Sequence, residues 1–181
     1  MTVISDDIDE FKKDCIEYGC KPLLIELQND TSSYQQLMTS QKFTHKNWNL
    51  ETNRATDFFS KKYKIQRVKI EVNPYAYNDL ESKYYETHFR LVVNSDNKDK
   101  IDDIITRHKF HKSKNIFKKI NESDVYQMAT YREHGISLQK FESIVSNFRK
   151  DLENENISFD KIEIESCIVD TNDDLDKKWL R

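Results

Sequence analysis

Two predicted strands carry the polar side chains that are best suited to chemistry in this chain. Successive side chains of a strand point to opposite faces, so Lys69 and Glu71 share one face of the strand at residues 66–73. By the same alternation, Glu86, His88 and Arg90 share one face of the strand at residues 84–93. If the two strands form a hairpin, both polar rows lie on one sheet face. This cluster is the main site candidate.

The chemistry of this cluster has two interpretations, and the sequence leaves both open. In the first, Lys69, His88 and Arg90 bind a phosphate or a carboxylate, with Arg132 and Thr130 joining them from a neighbouring strand. Glu71 or Glu86 would then orient the His88 imidazole or act as a general base, which makes these three residues candidates without an assigned catalytic role. In the second, the residues form cross-strand ion pairs on a solvated face.

A basic segment is the second candidate site. Six basic residues and no acidic residue occur between positions 107 and 119, namely Arg107, Lys109, Lys112, Lys114, Lys118 and Lys119. Such a segment attracts phosphate groups or acidic protein surfaces, or it is an ordinary solvated surface. Without a nucleic-acid-reading motif, it predicts at most weak, non-specific binding of nucleic acid.

Known catalytic and metal motifs are not matched. His108 and His111 lack the further ligands that a zinc site needs, and the acidic run from Asp170 to Asp176 lacks the glycine and the final glutamate of an EF-hand. Two glycines in the whole chain exclude a glycine-rich phosphate loop. We therefore predict no metal and no cofactor.

The composition predicts a folded protein in a reducing compartment. The chain has 181 residues, 34% of them charged, and a net charge of -3, but its ten Phe and nine Tyr argue against disorder. Cys15, Cys20 and Cys167 are an odd number without paired spacing, which indicates free thiols and an intracellular location. No apolar run is long enough for a signal peptide or a membrane span, so no membrane partner is expected.

Hydrophobic periodicity predicts an α+β fold. Helices are expected at residues 5–19, 50–63, 99–109 and 137–152, and strands at 21–27, 66–73, 84–93, 115–120, 125–132 and 161–169, with a long loop at 29–46. We expect one domain over residues 1–181, a ferredoxin-like α/β sandwich with helices on one face. Its expected parts are a βαββαβ unit at 21–120, an added βαβ unit at 121–170 and an acidic tail at 171–181.

Several short motifs resemble an uncharacterised family found in bacteria and in large DNA viruses of amoebae. They are Lys21-Pro22-Leu23-Leu24-Ile25-Glu26-Leu27, Met38-Thr39-Ser40, Arg67-Val68-Lys69-Ile70-Glu71, the run from Tyr84 to Leu91, Ser113-Lys114-Asn115, and Asp170-Thr171-Asn172 with the segment from Leu175 to Leu180. The resemblance implies one fold over most of the chain and a viral or virion-associated origin. It implies no activity.

The function expected from these observations is a non-enzymatic binding or structural module. Its polar sheet face would bind an anionic ligand or a protein partner. The alternatives are a phosphate-ester enzyme that uses the Lys/Glu/His/Arg cluster, and a weak nucleic-acid binder through residues 107–119.

Overall fold

The computed structural model describes residues 1–28, 33–77, 80–118, 120–121, 124–177 and 179. Nine strands are present in this part of the chain: β1 (Thr2–Ile4), β2 (Lys21–Gln28), β3 (Ser33–Ser40), β4 (Lys64–Arg67), β5 (Lys69–Val72), β6 (Tyr84–Val93), β7 (His111–Asn115), β8 (Val125–His134) and β9 (Phe159–Asp170). The α-helices are α1 (Ile8–Tyr18), α2 (Trp48–Ser60), α3 (Lys98–Arg107) and α4 (Leu138–Asn154). Short 3₁₀ helices occupy His45–Asn47 and Asp173–Asp176.

Side-chain caps mark the starts of α1 and α4. The Asp7 side chain accepts a hydrogen bond from the Glu10 amide at 2.8 Å, so Asp7 caps α1. Gly19 ends α1 with a positive φ of 81°, a conformation that glycine adopts without steric cost. Ser137 caps α4, because its side chain accepts a hydrogen bond from the Lys140 amide.

All nine strands belong to one sheet with the order β4-β1-β3-β2-β7-β8-β6-β9-β5, and every pairing between them is antiparallel. The segments from β1 to β4 and from β6 to β9 each run βαββαβ. Within each segment the fourth strand lies beside the first, and the third lies between the first and the second. The two segments therefore repeat one topology, which the sequence analysis did not detect.

The sheet closes on itself into a barrel. β4 and β5 stand at opposite ends of the strand order, yet only Val68 separates them in the chain. The run from Lys64 to Val72 is thus one interrupted strand that pairs first with β1 and then with β9. Counting this run once, eight strands surround an interior, and a ring of this size holds side chains or one small ligand.

The hydrophobic cores lie outside the barrel, between its wall and the helices. One core joins Phe89 of β6 to Ile104 of α3 and Phe141 and Phe148 of α4. The other joins α1 and α2 to the first half of the sheet, with Phe11 and Phe59 at its centre. The helices bury the apolar faces of the strands, so the opposite faces point into the barrel.

Several expectations about the strands are wrong. β5 and β6 do not form a hairpin, because β9 lies between them. The segment predicted as a long loop contains β3, and the strand expected at 115–120 is β7, which ends at Asn115. The structure assigns α3, β7, β8 and α4 to the same βαββαβ segment, which runs past the sub-unit boundary suggested at residues 120 and 121.

Candidate functional site

A cavity of about 930 Å³ follows the inner face of the barrel, extends to Trp48 and Phe59 of α2, and has two unlike walls. β2, β3 and β8 line it with apolar side chains, among them Leu23, Ile25, Met38 and Met128. β5, β6 and β9 line it with ionisable side chains, namely Lys69, Glu71, Glu86, His88, Glu163 and Glu165. A cavity of this size suits a small organic ligand.

At one end of the barrel, the segment after β9 turns inward and its Asp176 carboxylate is buried. Asp176 accepts hydrogen bonds from Gln36 of β3 at 3.1 Å, from Arg67 of β4 at 2.5 Å and from Arg132 of β8 at 2.8 Å. Arg67 also donates to Asp170 at 2.9 Å. Both arginines are therefore already held by carboxylates and do not offer a free charge to a ligand.

Glu86 is the centre of the charged wall. Its carboxylate accepts hydrogen bonds from Lys69 Nζ at 3.1 Å and from Arg132 Nε at 2.7 Å, and it lies 3.0 Å from His88 Nε2. Burial alone would raise the pKa of Glu86, but the charges of Lys69, His88 and Arg132 hold it well below its usual range. Glu86 is therefore ionised.

His88 is held at both ring nitrogens. Its Nδ1 is 2.8 Å from the Thr130 hydroxyl, while Nε2 faces Glu86 and, at 3.6 Å, Glu165. Burial would lower the pKa of His88, but the hydrogen bond to Glu86 and the two carboxylate charges raise it. The imidazole is thus oriented and made more basic by its surroundings.

Glu71 and Glu165 bring two further carboxylates beside His88. Ligand atoms of these three residues all lie within 4.8 Å of one another. Lys69 Nζ lies 2.5 Å from Glu71 Oε1. Burial, followed by the charge of Glu71, raises the pKa of Glu165 to about 7. Carboxylate charge is therefore in excess at this point of the wall.

The structure brings together most of the predicted cluster. Lys69, Glu71, Glu86, His88 and Arg132 share the barrel interior, as the alternation predicted. Arg90 lies apart, with Nε 2.5 Å from Asp160 and its guanidinium 4.8 Å from the centre of the Tyr126 ring. Each cation of the cluster already contacts a carboxylate. Lys69, His88 and Arg90 therefore do not form the group of unpaired cations for binding an oxyanion that the sequence suggested.

A second charged region surrounds the mouth of the barrel, at the start of β2. A pocket here is lined by Lys21, Lys42 and Lys161 together with Glu163 and Glu165. Lys161 pairs with Glu163 at 2.7 Å. Burial, then the charges of Lys21, Arg90 and Lys161, lower the pKa of Lys118. Lys118 therefore lies within electrostatic reach of Lys21, Arg90 and Lys161, while the charge of Asp160 acts on its pKa in the opposite direction.

The predicted basic segment does not form a free patch. Arg107 pairs with Asp103 and with Asp151, the latter at 3.0 Å. Lys112 pairs with Asp102 at 3.0 Å and Lys114 with Glu26 at 2.9 Å. Within the described part of the chain, the unpaired cations of this segment are Lys109, which lies in a turn, and Lys118, which lies at the mouth; Lys119 lies outside the described residues.

The histidines and aspartates that were rejected as metal ligands contact other side chains. His108 Nε2 lies 2.9 Å from Asp151, whereas the His111 ring packs 5.6 Å from the Trp179 ring, so the two histidines face different neighbours. Asp170 and Asp176 of the acidic run bind arginines. The acidic run is therefore part of the barrel's ion-pair network.

Glu165 and Asp176 also belong to the interior but were not predicted from the sequence. Arg67 was expected on the polar face with Lys69 and Glu71 but not as a site residue. Glu163 and Glu165 alternate with Ile162 and Ile164 on β9, so a polar face of this strand was readable from the sequence. Asp176 carried no such signal, because it follows the last strand in an acidic tail.

No protein-family model and no curated protein matches the chain. Among the described residues, no helix is both long enough and apolar enough to cross a membrane.

Proposed function

We propose that this protein is a non-enzymatic binding module that takes a small anionic ligand, such as a phosphate compound, into the mouth of its barrel. The observation that carries the proposal is the group of cations at the mouth. Lys21, Lys42 and Lys118 have no ion pair with any described residue, although Lys118 stands close to Lys21, Arg90 and Lys161.

Electrostatics favours an anion at this position. Like charges that are held near one another destabilise the unliganded protein, and a bound anion removes that repulsion while it gains attraction from each lysine. The cavity behind the mouth gives the rest of the ligand an apolar wall of β2 and β3 side chains. The ligand class is therefore a small anion with an organic body, or a compact polyanion that stays at the mouth.

The test measures the melting temperature with inorganic pyrophosphate as the probe. At about 100 times the dissociation constant, a ligand that binds only the folded state adds about 2.7 kcal/mol, which is roughly 5–10 °C for a chain of this size. Lys21→Gln with Lys118→Gln should remove most of this increase. Lys150→Gln, at an exposed position of α4, is the matched control and should retain it.

Salt dependence gives a second readout. Binding to exposed lysines is screened, so affinity should fall as ionic strength rises. An equal increase in melting temperature for the wild type and the Lys21/Lys118 variant would place the anion elsewhere. No increase for the wild type at saturating pyrophosphate would refute binding of this compact polyanion at the mouth.

One observation favours the alternative of a phosphate-ester enzyme. His88 is oriented by Thr130 and lies 3.0 Å from Glu86 in an enclosed cavity, which is the arrangement that prepares an imidazole for proton transfer. Hydrolysis of p-nitrophenyl phosphate by the wild type, lost in His88→Gln, would support it. Absence of hydrolysis leaves the binding module as the proposal.

The finer assignments are also proposals. We infer that each βαββαβ segment is ferredoxin-like, because its connectivity is that of such a unit. The short motifs support membership of the uncharacterised bacterial and viral family, and an intracellular or virion location is checked by detecting the protein in cell and particle fractions. A protein partner stays a prediction, and weak nucleic-acid binding is tested by anisotropy with Lys112→Gln and Lys114→Gln.

A further inference from the structure

We propose that Glu71, His88 and Glu165 bind a divalent first-row metal ion, Zn²⁺ or Mn²⁺, on the inner wall of the barrel. The three residues come from β5, β6 and β9, and their ligand atoms lie within 4.8 Å of one another. Glu165 also lines the mouth pocket, but the metal site uses none of the lysines on which the proposal of an anionic ligand rests.

The backbone fixes the relative positions of the three ligands. β9 lies between β5 and β6, and its Glu165 is directly paired with Glu86, two residues before His88. On its other side, Glu71 is paired with Cys167, two residues beyond Glu165. Side chains two residues apart on a strand share a face, so all three point into the barrel from neighbouring strands. Ligands on paired strands are held more precisely than ligands on loops.

The distances permit a metal ion after small side-chain adjustments. Zn²⁺ lies about 2.0–2.2 Å from nitrogen and oxygen ligands, which places the ligand atoms roughly 3–3.6 Å apart in a tetrahedral site. The observed spread of up to 4.8 Å contracts to this range by rotation of two flexible glutamate side chains, with the strands in place.

The electrostatics of the wall favours a cation at this point. The carboxylate oxygens of Glu71 and Glu165 lie within 4.8 Å of each other, and among the residues that the structure describes the only ion-pair partner of Glu165 is His88, at 3.6 Å. Lys69 bridges Glu71 and Glu86, so it can remain on Glu86 when a metal ion takes its place at Glu71. A divalent ion carries enough charge to neutralise both glutamates, whereas the single ammonium group of Lys69, which Glu71 shares with Glu86, does not.

His88 has the outer-sphere partner that metal-binding histidines usually have. Thr130 holds Nδ1 at 2.8 Å and leaves Nε2 directed toward the carboxylates. To bind a metal, Nε2 must lose its proton and give up its contact with Glu86, so binding releases protons and weakens in acid. One nitrogen and two carboxylate ligands suit Zn²⁺ and Mn²⁺ better than Ca²⁺, which prefers oxygen alone.

The experiment titrates the full chain with Zn²⁺ and, separately, with Mn²⁺ after treatment with a chelator, and follows heat and bound metal per chain. We expect one ion per chain. Glu165→Gln and His88→Gln should each weaken binding by at least about 10–100-fold, the loss seen even for outer-sphere changes. Glu153→Gln is the control, because it removes the same charge at an exposed position of α4, where Glu153 pairs with Arg149 outside the barrel. It should bind as tightly as the wild type.

A second measurement keeps the proposal testable if a variant folds poorly. Addition of Co²⁺ to the wild type should give visible absorption bands of a low-coordinate site, and nuclear magnetic resonance should show the His88 ring signals shifting with Zn²⁺. Less than one ion per chain, or equal weakening in Glu153→Gln and Glu165→Gln, would overturn the site. Metal binding that is unchanged in the variant with Lys21→Gln and Lys118→Gln would show that the metal site does not depend on the lysines proposed to bind the anionic ligand.

Discussion

Asp176→Ala offers the sharpest test of the closed barrel. The carboxylate joins strands from different parts of the ring, because it binds Gln36 of β3, Arg67 of β4 and Arg132 of β8, and its side chain is only 5% exposed. If the barrel were open, this side chain would be solvated and its removal would change little. If the barrel is closed, its loss leaves two buried guanidinium groups with fewer partners.

The magnitude follows from the contacts. Two hydrogen bonds from charged donors contribute about 1.5–3 kcal/mol each and the amide about 1 kcal/mol, a gross loss of about 4–7 kcal/mol. Removing the buried carboxylate also removes its own desolvation cost, so the free energy of unfolding should fall by about 3–5 kcal/mol. The melting temperature should then fall by roughly 6–20 °C.

Urea unfolding followed by circular dichroism measures this change. Asp174→Ala is the matched control, because Asp174 lies in the same 3₁₀ helix, carries the same charge and, among the described residues, forms an ion pair only with exposed Lys177. The control should leave the unfolding midpoint unchanged. Asp176→Asn should lie between the two, since its amide keeps the shape but loses the charge. Equal midpoints for Asp176→Ala and Asp174→Ala would refute the buried position of Asp176.

Three further predictions concern the helices. Phe141→Ala should lower the free energy of unfolding by about 3–5 kcal/mol in urea titrations, because the ring is fully buried against the barrel, whereas exposed Asn147→Ala should not. The hydrogen bond from Tyr63 outweighs burial and lowers the pKa of Asp14, so ionised Asp14 stabilises the fold above the pH at which an unfolded aspartate titrates. The difference in urea midpoint between the wild type and Asp14→Asn should therefore disappear as the pH falls below about 4. A difference that stays constant with pH would contradict this prediction. A hydrogen bond with Cys15 lowers the pKa of Cys20 to about 7, so Cys20 should be the first cysteine to react with iodoacetamide near neutral pH. Mass spectrometry after a brief treatment identifies the labelled residue. Labelling of Cys15 before Cys20 would contradict the lowered pKa of Cys20.

Local patterns were predictable because they depend on neighbours in the chain. The apolar stripe of α4 and its Ser137 cap follow from helical periodicity and hydrogen bonding within one turn. The alternation of β6 correctly placed Glu86 and His88 on one face, since a strand turns each side chain by half a revolution. Lys69 and Glu71 followed from the same rule.

Two strands lacked a readable pattern for a physical reason. β3 and β7 pair within the sheet but carry mostly polar residues, in β7 the run His111-Lys112-Ser113-Lys114-Asn115. Apolar side chains are few on both strands: β3 has Leu37 in the outer core and Met38 at the cavity, whereas β7 has none. Much of their burial comes from the strands on both sides and from contacts with Asp176 and Trp179. Propensity and hydropathy therefore missed them.

The sequence alone determined the α+β class, the four helices, and the polar face of β6 that became part of the site. Only the tertiary structure decided which strands meet. Pairing of β9 between β5 and β6 placed Glu165 beside Glu71 and His88, and the interruption at Val68 allowed one strand to join both edges of the sheet. Such pairings join residues far apart in the chain, so their energies depend on the closed barrel as a whole and leave no trace in any short stretch of sequence.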